Sequence, residues 1–167
     1  VTYNALIDLP NNVSQNSFST GVHLGAIRDF PLNKHRNIAL ALGLGYSFNS
    51  FNQNIRISGY NPYNYTILES YNYSKNNFTQ HFIEVPFEFR WRTSNAQSYK
   101  FWRVYTGLKL GYLIASKSVF NDRSGSDNQK NLTDLNKLQY GLTMSIGYNT
   151  WSGYIYYGLN PVFNDVS

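Results

Sequence analysis

Residues 82–92, FIEVPFEFRWR, alternate between two chemistries at every step. Ile83, Val85, Phe87, Phe89 and Trp91 form one series, and Glu84, Pro86, Glu88, Arg90 and Arg92 form the other. Successive side chains of a strand point to opposite faces, so the segment predicts a strand with one oily and one charged side. The same period recurs along the chain, and helical periodicity is nearly absent. Residues 38–48 set Ile38, Leu40, Leu42, Leu44, Tyr46 and Phe48 against Ala39, Ala41, Gly43, Gly45 and Ser47. Residues 138–148 set Leu138, Tyr140, Leu142, Met144, Ile146 and Tyr148 against Gln139, Gly141, Thr143, Ser145 and Gly147. Residues 102–114 oppose Trp102, Val104, Leu108, Leu110, Tyr112 and Ile114 to Arg103, Tyr105, Gly107, Lys109 and Gly111. A looser strand places Val22 and Leu24 opposite Gly21, His23, Gly25 and Asp29, and residues 1–9 and 154–159 predict two more.

The small faces decide which side is wet. A water-soluble sheet would turn its bulky row inward and leave Ala39, Ala41, Gly43 and Gly45 on the solvent side. Bare glycine and alanine weaken such a strand and gain nothing from hydration. In a transmembrane barrel the assignment inverts: bulky residues meet lipid, and small ones leave room for side chains in a narrow lumen. A charge facing lipid at mid-depth costs about 2–4 kcal/mol, so the lipid face should carry none there. The bulky rows of 38–48, 83–91 and 102–114 carry none. Arg28 is the exception, and it lies beside a turn, where it can reach headgroups.

Connections alternate in length. Residues 31–37, 93–100 and 149–152 are short, whereas 52–77 and 121–137 are long, polar and rich in Asn, Tyr and Ser. An up-and-down meander with one trimmed and one elaborated end matches outer-membrane barrels. The expected fold is all-β: a single domain over 1–167, an eight-stranded antiparallel up-and-down transmembrane β-barrel. About seven strands can be counted, so the last is expected to lie outside this chain, as are segments at both ends. Aromatics should mark two interfacial rims, with Phe30, Trp91, Trp102, Tyr148 and Trp151 by the short turns and Phe18, Phe48, Tyr112 and Phe120 toward the other end.

Composition changes the picture in three ways. Charged residues make up only 14% of the chain and aromatics 17%, the reverse of a typical soluble balance. There is no cysteine, which excludes disulfides and thiolate chemistry. The net charge of +5 comes from scattered Lys and Arg, without the clustering that nucleic acid requires. No run of eighteen apolar residues predicts a membrane helix. His23, His35 and His81 stand apart with no partners at ligand spacing, so neither metal nor cofactor is predicted.

The candidate site is the charged face. With the strands flanking 93–100 paired so that opposed positions sum to about 193, Glu84 meets Lys109, while Glu88 and Arg90 flank Tyr105 and Arg103; a slip of two puts Glu88 on Arg103. Glu84, Glu88, Arg90, Arg92, Arg103 and Lys109 are thus expected to form a self-neutralising lumen network that plugs the barrel. Tyr60, Tyr63, Tyr65, Tyr71 and Tyr73 in the long loop are candidates for partner contact, because Tyr suits recognition surfaces. Asp122, Asp127 and Asp134 would be the residues of an alternative, a rim hydrolase, and a soluble β-sandwich adhesin is a further alternative.

The tract HFIEVPFEFRW resembles the (Y/F)-(L/I)-E-(I/V)-P strand of the PorT-like outer-membrane β-barrel proteins of Bacteroidota. STGVHLGAIRDFPLNKHRNIALALGLGYS, YTGLKLGYL and YIYYGLNPVFND fit the same family. The resemblance covers most of the chain, and the neighbourhood of Glu84–Pro86 is its most specific part. It implies an eight-stranded outer-membrane protein, with some members serving type IX secretion and gliding. The expectation is therefore a non-enzymatic accessory, assembly or binding component of an outer-membrane complex. Its partners would be membrane lipid and other outer-membrane proteins, with no small-molecule substrate.

Overall fold

The computed structural model describes residues 1–5, 19–52, 55–58, 64–67, 75–93, 100–122, 125–132 and 134–163. These hold ten strands: β1 (Thr2–Tyr3), β2 (Thr20–Pro31), β3 (Ile38–Asn52), β4 (Ile55–Ser58), β5 (Asn64–Ile67), β6 (Lys75–Arg92), β7 (Trp102–Asp122), β8 (Gly125–Lys130), β9 (Leu138–Tyr148) and β10 (Trp151–Gly158). The main sheet runs in the order β1-β2-β3-β6-β7-β9-β10, with β8 paired to β7, and β4 and β5 make a separate two-stranded sheet. The four pairs β1–β2, β7–β8, β7–β9 and β9–β10 are all antiparallel. The two segments that the sequence suggested as long loops therefore contain strands: β4 and β5 within 52–77, and β8 within 121–137.

The chain forms two compact units. The first comprises Val1–His23, Ser47–Phe82 and Leu113–Asp134; the second comprises Leu24–Tyr46, Ile83–Tyr112 and Leu135–Ser167. In the second unit burial runs opposite to residue size. On β3, Ala41 is 0% exposed and Leu44 63%. On β9, Thr143 is 4% exposed while its neighbour Leu142 is 49% exposed. Every β9 residue from Leu138 to Tyr148 follows this rule, with bulky side chains exposed and Gly, Thr, Ser or Gln covered to some degree. Phe30, Trp91, Trp102, Tyr148 and Trp151 are all exposed, and the Trp102 and Tyr148 rings lie 4.9 Å apart.

Two turns of this unit hold a residue in the left-handed region. Asn149, between β9 and β10, has φ 52°, which Asn accepts more readily than most side chains. Arg36 has φ 56° in the β2–β3 turn, where its N–H donates to the Asn33 carbonyl.

The first unit has a different interior. Phe51, Phe78, Phe120 and Leu132 are buried together with Ser19, Ser47, Gln80, Ser116 and Ser118. On β7, Leu113 is buried, Ile114 exposed, and from Ser116 onward the even positions Ser116, Ser118 and Phe120 are the covered ones. The alternation thus slips by one residue near Ala115, as an added residue in a strand does. That slip turns Phe120 inward, to 3% exposure, and corrects its expected place on an aromatic rim.

Candidate functional site

The charged face of β6 is built by strand alternation. Glu84, Pro86, Glu88, Arg90 and Arg92 share one side, and each is partly covered, whereas Ile83, Phe87, Phe89 and Trp91 are exposed. Lys109 Nζ lies 2.9 Å from Glu84 Oε1, joining β7 to β6. Arg90 reaches Glu88 Oε2 at 2.9 Å from both Nε and Nη2, and its Nη1 lies 2.6 Å from Asp29 Oδ1. Arg92 pairs with the other oxygen of Asp29, and its Nε donates to the Tyr105 hydroxyl at 2.9 Å. Both guanidinium groups also lie against the Tyr105 ring, at 4.6 Å for Arg90 and 5.3 Å for Arg92. The carboxylates Asp29, Glu84 and Glu88 thus meet the cations Arg90, Arg92 and Lys109, and the cluster carries no net charge.

Small residues make these reaches possible. Strand β3 stands between β2 and β6 in the sheet, yet Arg90 and Arg92 contact Asp29 on β2. Ala39, Ala41, Gly43 and Gly45 give β3 a low covered face over which long side chains can pass. A Cβ at Gly43 would come within 3.0 Å of Pro86 Cγ, so the proline ring occupies the space that a side chain would fill. Strand β9 does the same between β7 and β10. Lys109 Nζ sits 4.1 Å from the centre of the Tyr156 ring, and a Cβ on Gly141 would lie 2.6 Å from that ring's Cε2. Glycine is required here because of close approach: no other residue leaves the ring its place.

Sequence spacing placed Arg103 in the same network. In the structure Arg103 lies over Gly147 and donates from Nη2 to the Asn149 carbonyl at 2.8 Å, with its guanidinium 5.9 Å from the Phe101 ring. It caps the β9–β10 turn and makes no carboxylate contact among the described residues. Asp29 takes the anionic place that sequence reasoning left empty. The available signal was its position on the same face of β2 as Gly21, His23 and Gly25. It was missed because its partners sit two strands away.

The other sequence candidates are dispersed. Tyr65 lies on β5 opposite Ile57, whereas Tyr60, Tyr63, Tyr71 and Tyr73 fall outside the described residues. The β7–β8 ladder sets Asp122 opposite Gly125 and Asp127 opposite Phe120, while Asp134 stands beyond β8. His23 contacts Thr2 Oγ1 at 3.1 Å, His81 packs against Phe48 with ring centres 5.1 Å apart, and His35 is exposed in a turn. Among the described residues no group of three or more His, Cys, Asp or Glu could hold a metal ion.

An exposed bulky face, a covered face of small residues and a neutral cluster of partly covered ions are the marks of a sheet with lipid on its outside. A family model described as outer membrane protein beta-barrel domain matches residues 1–164. The chain belongs to this family. Neither curated proteins nor solved structures give a match. Membership places the protein in the bacterial outer membrane, and the exposed rows of Leu42, Leu44, Leu108, Leu110, Leu142 and Met144 are its lipid-facing surface. A soluble β-sandwich adhesin is set aside by the same observations.

Proposed function

We propose that this outer-membrane barrel is a non-enzymatic accessory component that helps assemble or hold a larger outer-membrane complex. The observation that carries the proposal is that, Arg103 apart, the charged groups of the second unit's covered face are spent on one another. Asp29, Glu84, Glu88, Arg90, Arg92 and Lys109 close into ion pairs. A conducting or catalytic interior would hold charges open toward ions or substrate, whereas paired charges form a lumen plug that stiffens the wall. Contact with partners then falls to the β4–β5 region outside the main sheet, with Tyr60, Tyr63, Tyr65, Tyr71 and Tyr73, and to the β8 region, which lies off the main strand path. Outer-membrane barrel families of this kind are generally non-enzymatic, which supports the same conclusion. The finer proposal, from the PorT-like tract at Glu84–Pro86, is a role in the type IX secretion machinery of Bacteroidota.

The test is cross-linking in intact outer membranes, followed by purification and mass spectrometry. The expected result is recovery of one or more outer-membrane partners in fixed ratio, lost when residues 53–74 are replaced by a short polar linker while heat-modifiable gel migration is kept. Recovery of the protein alone, under conditions that capture a known complex in the same membrane, would exclude an assembly role. Unchanged export of type IX cargo in a strain lacking the protein would remove the finer proposal and leave the coarser one standing.

A further inference from the structure

The first unit carries a charged feature that the ion-pair cluster of the second does not explain. In the β7–β8 ladder Lys117 and Lys130 are direct partners. Directly opposed residues of an antiparallel pair point to the same side, with Cβ atoms about 5 Å apart, and like charges at such positions repel. Both lysines are exposed, and Ser116 and Ser118 on either side of Lys117 are buried, so the pair stands on the outer face. Among the described residues no carboxylate pairs with either ammonium group. Here the Thr79 hydroxyl of β6 donates to the Lys117 carbonyl of β7 at 3.2 Å.

Position on the strand gives the feature its meaning. Ile114, three residues earlier on β7, is an exposed apolar side chain of the same unit, and the slip near Ala115 brings Lys117 onto the face that Ile114 occupies. The half-buried rings of Phe48 and His81, 5.1 Å apart, belong to the same unit, and outer-membrane barrels flank their apolar band with girdles of aromatic residues. An exposed apolar side chain followed on the same face by two adjacent ammonium groups is a surface arranged to meet lipid tails first and an anion next. Two neighbouring positive charges match a phosphomonoester, which carries close to two negative charges at neutral pH, better than a phosphodiester, which carries one.

We propose that Lys117 and Lys130 form a binding site for the phosphomonoester headgroup of a membrane lipid, with one ammonium contributed by each strand. The anion would relieve the repulsion between the lysines and fix β8 against β7. The proposal rests on outer-membrane membership and not on the assembly role, so either can fail alone.

The experiment uses the full chain in nanodiscs of phosphatidylcholine containing equal small fractions of phosphatidic acid, a monoester, and phosphatidylglycerol, a diester. Lipid retained after mild detergent extraction is read by native mass spectrometry. The wild type should retain phosphatidic acid in preference to phosphatidylglycerol, and the K117Q/K130Q variant should lose about thirtyfold in that retention, the scale of two lysines at an anionic lipid surface. The K117R/K130R variant should keep it, which shows that charge and not local folding is read. Equal retention by wild type and K117Q/K130Q overturns the site, and equal retention of the two lipids by the wild type overturns its monoester preference. Displacement of the lipid by millimolar inorganic phosphate would assign the lysines to free phosphate and overturn the lipid assignment.

Discussion

The two units solve the problem of a filled interior with different chemistry. The second fills its covered face with ions: three carboxylates and three cations in direct contact, plus the Tyr105 and Tyr156 rings against them. The first uses neutral groups. Asn4 Nδ2 donates to Asn49 Oδ1 at 3.0 Å, and Asn77 Nδ2 donates to Ser50 Oγ at 2.8 Å and to Asn52 Oδ1 at 3.0 Å. Phe51 and Phe78 pack at 6.3 Å, and Ser116 Oγ accepts from the Leu132 N–H at 3.0 Å. The contrast teaches how each unit should fail. An ionic interior tolerates no unpaired member, because a buried charge without its partner has nothing to replace water. A neutral interior loses one hydrogen bond at a time.

The sharpest break of the ionic unit requires no charge at all. A Cβ at Gly107 would lie 2.0 Å from the Phe87 carbonyl oxygen and 2.7 Å from Glu88 Cα, both backbone atoms of β6 that cannot turn aside. Gly107→Ala should therefore force β6 and β7 apart beneath the cluster and abolish the folded, heat-modifiable gel form. Gly153→Ala on β10, where none of the described residues puts an atom within 4 Å of the added Cβ, should leave that form unchanged. Equal behaviour of the two variants would show that strand spacing does not limit the fold.

Next in size is the removal of one ion. Lys109→Met takes away the ammonium group that meets the covered Glu84 carboxylate, which should cost about 3–5 kcal/mol in unfolding from detergent by urea. Adding Glu84→Gln to the same chain should recover most of that loss, because the covered negative charge that Lys109 offset is then gone. A double variant as unstable as the single would mean that Lys109 acts through packing on Tyr156 instead.

These two predictions mark what was legible in the sequence. Strict alternation over 38–48, 82–92, 102–114 and 138–148 revealed the strands, and the Ala and Gly rows revealed which face is covered, because no other arrangement leaves small residues a purpose. The Glu84–Lys109 contact could be placed because the strands are neighbours joined through a short connection. Asp29 could not be placed so simply, since Arg90 and Arg92 cross β3 to reach it and adjacency says nothing of second neighbours. Arg103 was misplaced because its proper partner is a backbone carbonyl, which carries no residue-type signal. The inward turn of Phe120 depends on a one-residue slip that Ile114, Ala115 and Ser116 do not announce. The strands inside 52–77 were hidden by Asn and Tyr, residues common to loops and to exposed hairpins alike.

In the neutral unit a comparable deletion should hurt less. Asn49→Ala removes the acceptor of the Asn4 amide, and the expected loss is about 1 kcal/mol, the usual net value of a hydrogen bond between uncharged groups. Measured beside Lys109→Met under the same conditions, it gives the ratio between the two interiors. A loss as large as that of Lys109→Met would erase the distinction between them.

The smallest effect should have the opposite sign. Gln80 is 1% exposed, and its buried Nε2 has no hydrogen-bond partner among the described residues. A covered donor left unsatisfied is a standing cost of about 1–3 kcal/mol, so its removal without loss of volume should help. Met has a similar length and flexibility and no polar hydrogen, and it fills irregular gaps readily. Gln80→Met should therefore leave urea unfolding unchanged or raise its midpoint slightly, whereas the same logic applied to Glu84 alone would strand Lys109 and lower it. If Gln80→Met destabilises as strongly as an ion deletion, the amide has a binding role in the first unit, and that interior is as demanding of its polar members as the charged one.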